Sequence, residues 1–208
     1  MPEKIVRRYT QLPALLHILS ERKLTLLDPA SWDDKNDSCF LEQYKSRCEL
    51  KTVLALCFSM APETYHHWSI FAAGSAGVCI QFKRDELLAV IKNCDGIRQR
   101  EVKYVPLRTV NGRKLKVRDL PFTKRYPFQD ENEWRIVFES DVDEKSSHDI
   151  EIPLSAISRV NLSPWLPEVL KDNVKKALWA IKGCAKLEIS RSTLISNERW
   201  KKMGEEAV

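Results

Sequence analysis

The 208-residue chain predicts a mixed α+β fold, a mainly antiparallel split sheet with flanking helices. Short apolar runs rich in strand-forming residues alternate with segments whose leucines recur at helical spacing. Several neighbouring strands are too close together for the crossover helices of a doubly wound sheet. No internal repeat or low-complexity linker interrupts the pattern, so a single domain over 1–208 is expected, with a frayed tail from about 197 to 208.

The elements follow in order. Ile5-Val6 leading into Arg7-Arg8-Tyr9 reads as a short first strand. Leu12, Leu15, Leu16 and Leu19 share one stripe of a helix over about 11–21. Leu24-Thr25-Leu26-Leu27 is a second strand, stopped by Asp28-Pro29. Residues 31–37 are polar enough for a loop, and a helix follows into the early forties. Thr52 to Ser59 is a strongly apolar strand. Pro62-Glu63-Thr64 opens a helix carrying Tyr65, Trp68, Ile70 and Phe71, ended by Gly74. Residues 77–82 are dense in strand formers, and 85–91 read as a helix. Val102 to Val105 is a strand, followed by a polar, basic stretch to about 120. The apolar run ending at Phe138 is a buried strand, and 150–152 and 160–162 are short ones. Ser163-Pro164 begins an amphipathic helix with the apolar face Leu166, Val169, Leu170, Val174, Ala177, Leu178 and Ile181. Residues 187–189 return as a strand.

Composition narrows the class. Hydrophobic residues make up 43% and charged residues 30%, the balance of a soluble globular protein. No run approaches the ~18 apolar residues of a membrane span, and the first residues lack the apolar stretch of a signal peptide. The six cysteines form no C-x-x-C pair, and Cys57 and Cys79 sit inside apolar runs. A reduced, cytoplasmic protein is expected, with no disulfide framework and no metal site. His66-His67 does not change that, because adjacent helical residues point roughly 100° apart. The net charge of +5 permits an anionic partner. Basic residues gather between Arg98 and Arg125, the segment expected to meet nucleic acid if any does. The same residues also suit an ordinary solvated surface.

The stretch from Gln129 to Phe138 carries the chemistry. In an extended segment residues i and i+2 point the same way, so Glu131 and Glu133 share one face. Two acids facing one way are costly inside a protein unless a cation or a reaction uses them. A polar turn before a strand is the plain alternative, and Arg135, two residues on, is placed to neutralise Glu133. Phosphate loops, dinucleotide fingerprints, H-E-x-x-H and G-x-S-x-G are all absent.

Several motifs in order resemble a bacterial family known as domain of unknown function 2971. They are Val6-Arg7-Arg8-Tyr9-Thr10, residues 24–29 with Ser31-Trp32-Asp33-Asp34, and Ala55-Leu56-Cys57-Phe58-Ser59. His67-Trp68-Ser69-Ile70-Phe71-Ala72, residues 77–82, and Lys124 followed by Glu131-Asn132-Glu133-Trp134-Arg135-Ile136 complete them. The family often carries Asn-Asp-Pro where this chain has Asp33-Asp34-Lys35.

A first strand ending in arginine, a middle strand ending in serine and a late Glu-x-Glu entering a strand are also similar to the ADP-ribosyltransferase pattern. That resemblance implies an ADP-ribosyltransferase-like fold and an NAD-consuming enzyme, with NAD as substrate. It implies that Arg7 or Arg8 holds the NAD phosphates, that Ser59 orients that end of the site, and that Tyr9 or Trp68, beside His67, stacks on the nicotinamide. Glu133 would stabilise the oxocarbenium-like transition state, and Glu131 would position or deprotonate the acceptor. A bacterial toxin or phage-defence setting is the implied context, with a partner protein from a defence or toxin–antitoxin operon. The competing expectation is a non-catalytic nucleic-acid- or protein-binding module. Divalent-cation chemistry through Asp33, Asp34, Asp37, Glu131 and Glu133 is a third.

Overall fold

A computed structural model describes residues 4–109 and 115–207. Arg113 and Lys114 of the basic segment, and the last residue of the expected tail, lie outside the described residues. Along the chain come β1 (Ile5–Gln11), α1 (Leu12–Glu21), β2 (Lys23–Leu27), α2 (Lys35–Arg47), β3 (Thr52–Ser59) and α3 (Tyr65–Phe71). Next are β4 (Gly77–Lys83), α4 (Arg84–Ile91), β5 (Ile97–Glu101), β6 (Lys103–Val105), β7 (Thr123–Arg125) and β8 (Glu133–Ser140). The chain closes with β9 (Ser147–Glu151), β10 (Ile157–Leu162), α5 (Glu168–Trp179), β11 (Ile189–Arg191) and α6 (Glu198–Glu205). The class is mixed α+β with largely antiparallel pairing and flanking helices.

The chain divides into two compact units. One is drawn from Met1–Val6, Lys23–Ala61 and Lys83–Ile152, the other from Arg7–Arg22, Pro62–Phe82 and Pro153–Val208. In the first unit β3 pairs antiparallel with β8 over its whole length, from Thr52↔Ser140 to Ser59↔Glu133. β5 adds to the other edge of β8, and β2 and β9 extend the β3 side. β6 and β7 form a small parallel pair.

Helix α2 explains how this unit is fastened. Asp34 caps it, its Oδ1 accepting from the Asn36 and Asp37 backbone N–H groups, which satisfies donors that no helical carbonyl reaches. The buried residues of the helix are Asp37, Leu41 and Tyr44, a spacing of four and three that forms one stripe. Alternate residues of β8 meet this stripe. Asp37 bonds Arg135, Leu41 joins Val137 in the core with Val53, Ala55, Leu120 and Phe122, and the Tyr44 hydroxyl bonds Glu139. Burying a leucine of this kind stabilises the fold by about 1.5–3 kcal/mol. The helix is thus held by polar, apolar and polar contacts in turn.

In the second unit β10 pairs antiparallel with β4 and parallel with β11. Gly77 opens β4 where only a glycine fits: a Cβ there would fall 1.9 Å from the Ala72 carbonyl oxygen. That approach brings the end of α3 down onto β4 and packs Trp68, Ala72, Tyr9 and Cys79 into one core cluster.

Three expectations need correction, and one strand lies beyond them. Residues 163–167 form turns, and α5 begins only at Glu168. Ser163 does cap a turn, its Oγ accepting from Trp165 N and donating to the Gly74 carbonyl, but no helix follows at once. The expected apolar face is only partly covered: Leu166 and Leu178 are buried and Val174 and Ile181 half-buried, while Leu170 and Ala177 are exposed and Val169 is 80% exposed. The tail is ordered as α6, with the Asn197 side chain accepting from Trp200 N. Finally, residues 97–101 form β5, a strand that the polar sequence Ile-Arg-Gln-Arg-Glu hides.

Candidate functional site

Glu131 and Glu133 come together by a route other than strand alternation. Glu131 ends a 3-10 turn over Tyr126–Glu131, Asn132 is left-handed with φ 43°, and Glu133 is the first residue of β8. The shared face predicted for an extended segment is therefore absent. The two carboxylates converge instead on one ammonium: Lys124 Nζ lies 2.7 Å from Glu131 Oε2 and 3.8 Å from Glu133 Oε2. Asparagine suits the corner between them, because its short polar side chain tolerates the left-handed region better than most.

Arg135 sits at the centre of the group, fully buried. Its Nε donates to Glu133 Oε1 at 2.6 Å, and its Nη2 donates to Glu133 Oε2 at 2.9 Å and to Asp37 Oδ2 at 2.6 Å. Its Nη1 donates to Asp37 Oδ1 and to the Pro121 carbonyl, both at 2.9 Å. All five guanidinium N–H groups are thereby used, and the Trp32 ring lies 4.9 Å from the guanidinium carbon. The neutralising role foreseen for Arg135 is what the geometry shows. Lys124 also reaches Asp37 Oδ2 at 3.5 Å, so each cation serves more than one carboxylate.

The electrostatics separate the two glutamates. Burial pushes the Glu133 carboxyl up, but the Arg135 guanidinium outweighs it and the net shift is downward. For Glu131 burial dominates over the nearby Lys124, and the net shift is upward. Lys124 is penalised by burial, yet Glu133, Glu131 and Asp37 together hold it above its ordinary value. Cys57, opposite Arg135 across the β3–β8 ladder, is pushed well up by burial and by the Glu133 charge, so its thiol stays protonated. Tyr104 closes the group, its hydroxyl accepting from the Glu133 backbone N–H at 2.9 Å.

Ser59 belongs to the same place. It faces Glu133 across the ladder, and its hydroxyl donates to the Glu131 carbonyl at 2.8 Å while accepting from Ala61 N. The first unit thus gathers Ser59, Glu131 and Glu133 of the expected set. It adds Tyr104, which sequence reasoning did not join to them, together with Asp37, which the divalent-cation reading grouped with the two glutamates, and Lys124 and Cys57, which belong to the motifs of the family resemblance. The stripe Asp37, Leu41, Tyr44 was a readable signal for Asp37. For Lys124 the signal was its place in the motif that continues to Glu131–Ile136.

The second unit gathers Arg7, Arg8, Tyr9, His67 and Trp68. Tyr9 stacks on His67 at 5.2 Å between ring centroids and meets Trp68 edge-on at 5.4 Å. The Trp68 indole N–H donates to Glu63 Oε1 at 2.6 Å, and Thr64 Oγ1 accepts from His67 N and bonds the His67 ring nitrogen. His67 and Trp68 are essentially inaccessible and Tyr9 nearly so. These rings are packed against each other, which does not suit stacking on a ligand. Arg7 and Arg8 are partly exposed.

The basic segment is less available than its composition suggests. Arg98 is bound to Tyr44, Glu139 and the Arg118 carbonyl, Arg100 to Asp119, and Lys124 to the buried carboxylates. A groove of about 920 Å³ opens elsewhere on the first unit, lined by Phe138, Glu139, Lys145 and His148 among others, and holds none of the expected site residues. Among the described residues no helix is long and apolar enough to cross a membrane.

No family model matches the sequence, and no curated protein matches it. The resemblance to domain of unknown function 2971 therefore gains no support from either. Among solved structures the chain is similar to those of Thermus sp. 2.9 DarT. For DarT in complex with NAD+ the identity is 12% and the TM-score 0.46, covering 92% of this chain and 96% of that one. For the complex with ADP-ribosylated ssDNA the values are 9%, 0.48, 92% and 95%. For the carba-NAD+ complex they are 11%, 0.47, 92% and 97%.

Proposed function

We propose that the protein is an NAD-consuming enzyme of the ADP-ribosyltransferase type, with Glu131 as the carboxylate that serves the reaction. One observation carries this reading. Ser59 and the two glutamates of the Glu-x-Glu pattern come together in one buried site, and Arg135 gives its five N–H groups to Glu133, Asp37 and the Pro121 carbonyl while Lys124 takes Glu131. Burial pushes the Glu131 carboxyl up, so its negative charge is costly unless a positive charge answers it. Such a carboxylate is complementary to a substrate that brings positive charge. The nicotinamide ring of NAD is cationic, and its ribose develops oxocarbenium character as the glycosidic bond breaks and nicotinamide leaves with the bonding electrons.

The reacting carboxylate is assigned to Glu131. Both oxygens of Glu133 and both of Asp37 accept from Arg135. The Glu131 side chain is the more exposed of the pair, 10% against 5%. The transition-state role that the resemblance implied for Glu133 thus passes to Glu131, and Glu133 is proposed as the residue that holds Arg135. Ser59 is proposed to fix the Glu131 backbone. In the second unit Arg7 and Arg8 are proposed as phosphate contacts, with Tyr9, His67 and Trp68 supporting β1 instead of stacking on a ring. Nucleic acid as acceptor, and a toxin or phage-defence setting with a partner protein, belong to the same proposal and rest on the resemblance.

The test is nicotinamide release from NAD by the purified protein. Glu131→Gln is expected to lower the rate by about a hundredfold or more while the unfolding midpoint stays close to that of the wild type. A wild-type protein that releases no nicotinamide and labels no nucleic-acid or protein acceptor sinks the reading. Undiminished turnover in Glu131→Gln removes Glu131 from it.

A further inference from the structure

We propose that Lys124 is the positioning residue of this site, its ammonium gathering three carboxylates and holding Glu131 ionised and aimed for reaction. The inference rests on the NAD-consuming reading for its purpose, but its physical content is independent of any substrate.

The geometry is specific. Lys124 lies on the short strand β7, between the buried Thr123 and the turn that ends in Glu131. Its Nζ stands 2.7 Å from Glu131, 3.5 Å from Asp37 and 3.8 Å from Glu133, with the Phe128 ring centroid 4.8 Å away on another side. Asp37 and Glu133 are already satisfied by Arg135. The shortest contact of Lys124 is therefore to the one carboxylate that Arg135 does not bond. Lysine suits this role better than arginine, since a compact ammonium can face three oxygens from different directions.

Other charged and titratable groups around Glu131 act in known directions. Glu133 from β8 and Asp37 from α2 disfavour its ionisation, and burial disfavours it further. Lys124 opposes them. Arg135 from β8, Tyr104 from β6 and Cys57 from β3 border the neighbouring Glu133. Removing the ammonium takes away a charge that opposes Asp37, Glu133 and burial, and so moves Glu131 toward the protonated acid, which has no negative charge to offer a developing cation.

The experiment follows the Glu131 carboxyl by carbon-detected NMR across pH in the wild type, Lys124→Met and Lys124→Arg. The expected result is a rise in the Glu131 midpoint of about one pH unit or more in Lys124→Met, a tenfold change in the acid constant, with Lys124→Arg recovering most of it. An unchanged midpoint in folded Lys124→Met overturns the proposal. If that variant does not fold, the reciprocal measurement decides. Glu131→Gln must lower the titration midpoint of the Lys124 ammonium, read by its side-chain nitrogen shift, and no movement overturns the proposal equally. With nicotinamide release as readout, the acidic limb of the rate profile is expected to move up with the Glu131 midpoint, with kcat falling and KM for NAD holding within about twofold. A wild type without NAD turnover defeats the functional reading alone, because the two NMR titrations still decide the role of Lys124.

Discussion

In the first unit Arg135 gives each of its five N–H groups to an acceptor, whereas in the second unit Tyr9, His67 and Trp68 are held mainly ring against ring. Both groups are buried, yet they respond to damage differently. A buried charge needs every partner, so removing one strands the others. Packed rings lose contacts piecemeal, because dispersion is a sum of many small terms. The ionic cluster is consequently the more brittle of the two.

The comparison breaks most sharply at Arg135. Arg135→Met leaves Asp37 and Glu133 buried without their principal partner and is expected to cost about 3–5 kcal/mol in urea unfolding. A loss below about 1 kcal/mol would mean that water reaches the cluster and the contrast is false. Next comes the pair of glutamates, which carry opposite signs. Glu133 has a folded value below its ordinary 4.5, so its stabilising contribution is present above that pH and disappears as pH falls through the lowered value. Glu131 has a folded value above 4.5, so the stability tied to its protonation is present below that pH and is lost as pH rises through the raised value. At neutral pH Glu133→Gln is therefore expected to cost about 2 kcal/mol and Glu131→Gln clearly less. Equal losses in the two variants contradict the assignment of the reacting carboxylate to Glu131. In the aromatic cluster, Trp68→Phe removes the bond to Glu63 and is expected to cost about 1 kcal/mol. The smallest effect belongs to Arg100→Ala, whose partly exposed pair with Asp119 is expected to shift stability by less than about 0.5 kcal/mol.

The parts of the fold legible in the sequence were those whose signal is local. Thr52–Ser59 is apolar at nearly every position, and Thr64 caps α3 three residues before His67, so both elements were found where they lie. Arg135 was placed against Glu133 because i and i+2 on a strand share a face, and they do. Most of what escaped depends on partners distant in sequence. β5 is polar along its length because Gln99 bonds Trp134 and Arg98 bonds Tyr44 and Glu139, residues 35 to 54 positions away. The basic segment looked like a surface because the carboxylates that bind Arg98 and Lys124 lie outside it, and Asp119, which binds Arg100, is 19 residues away from that arginine. α5 starts late because Pro167 stands directly before it and holds Leu166 out of helical geometry, while the Ser163 Oγ is taken up by Trp165 N and the Gly74 carbonyl. The convergence of Glu131 and Glu133 was anticipated for the wrong reason, since the left-handed Asn132 replaces the extended geometry on which it was argued.

That corner gives the two glutamates different mechanical attachments. Glu133 belongs to the sheet and is clamped with it, while Glu131 belongs to a turn that ends at a single left-handed residue. A shift of the turn would carry one carboxylate and leave the other in the grip of Arg135. The spelling Glu-Asn-Glu is thus a constraint on its middle letter as much as on its outer ones: a β-branched residue there would oppose the bend by about 1–2 kcal/mol. Chains that share this device are better sought by a small or amide residue at the centre than by the alternation of a strand.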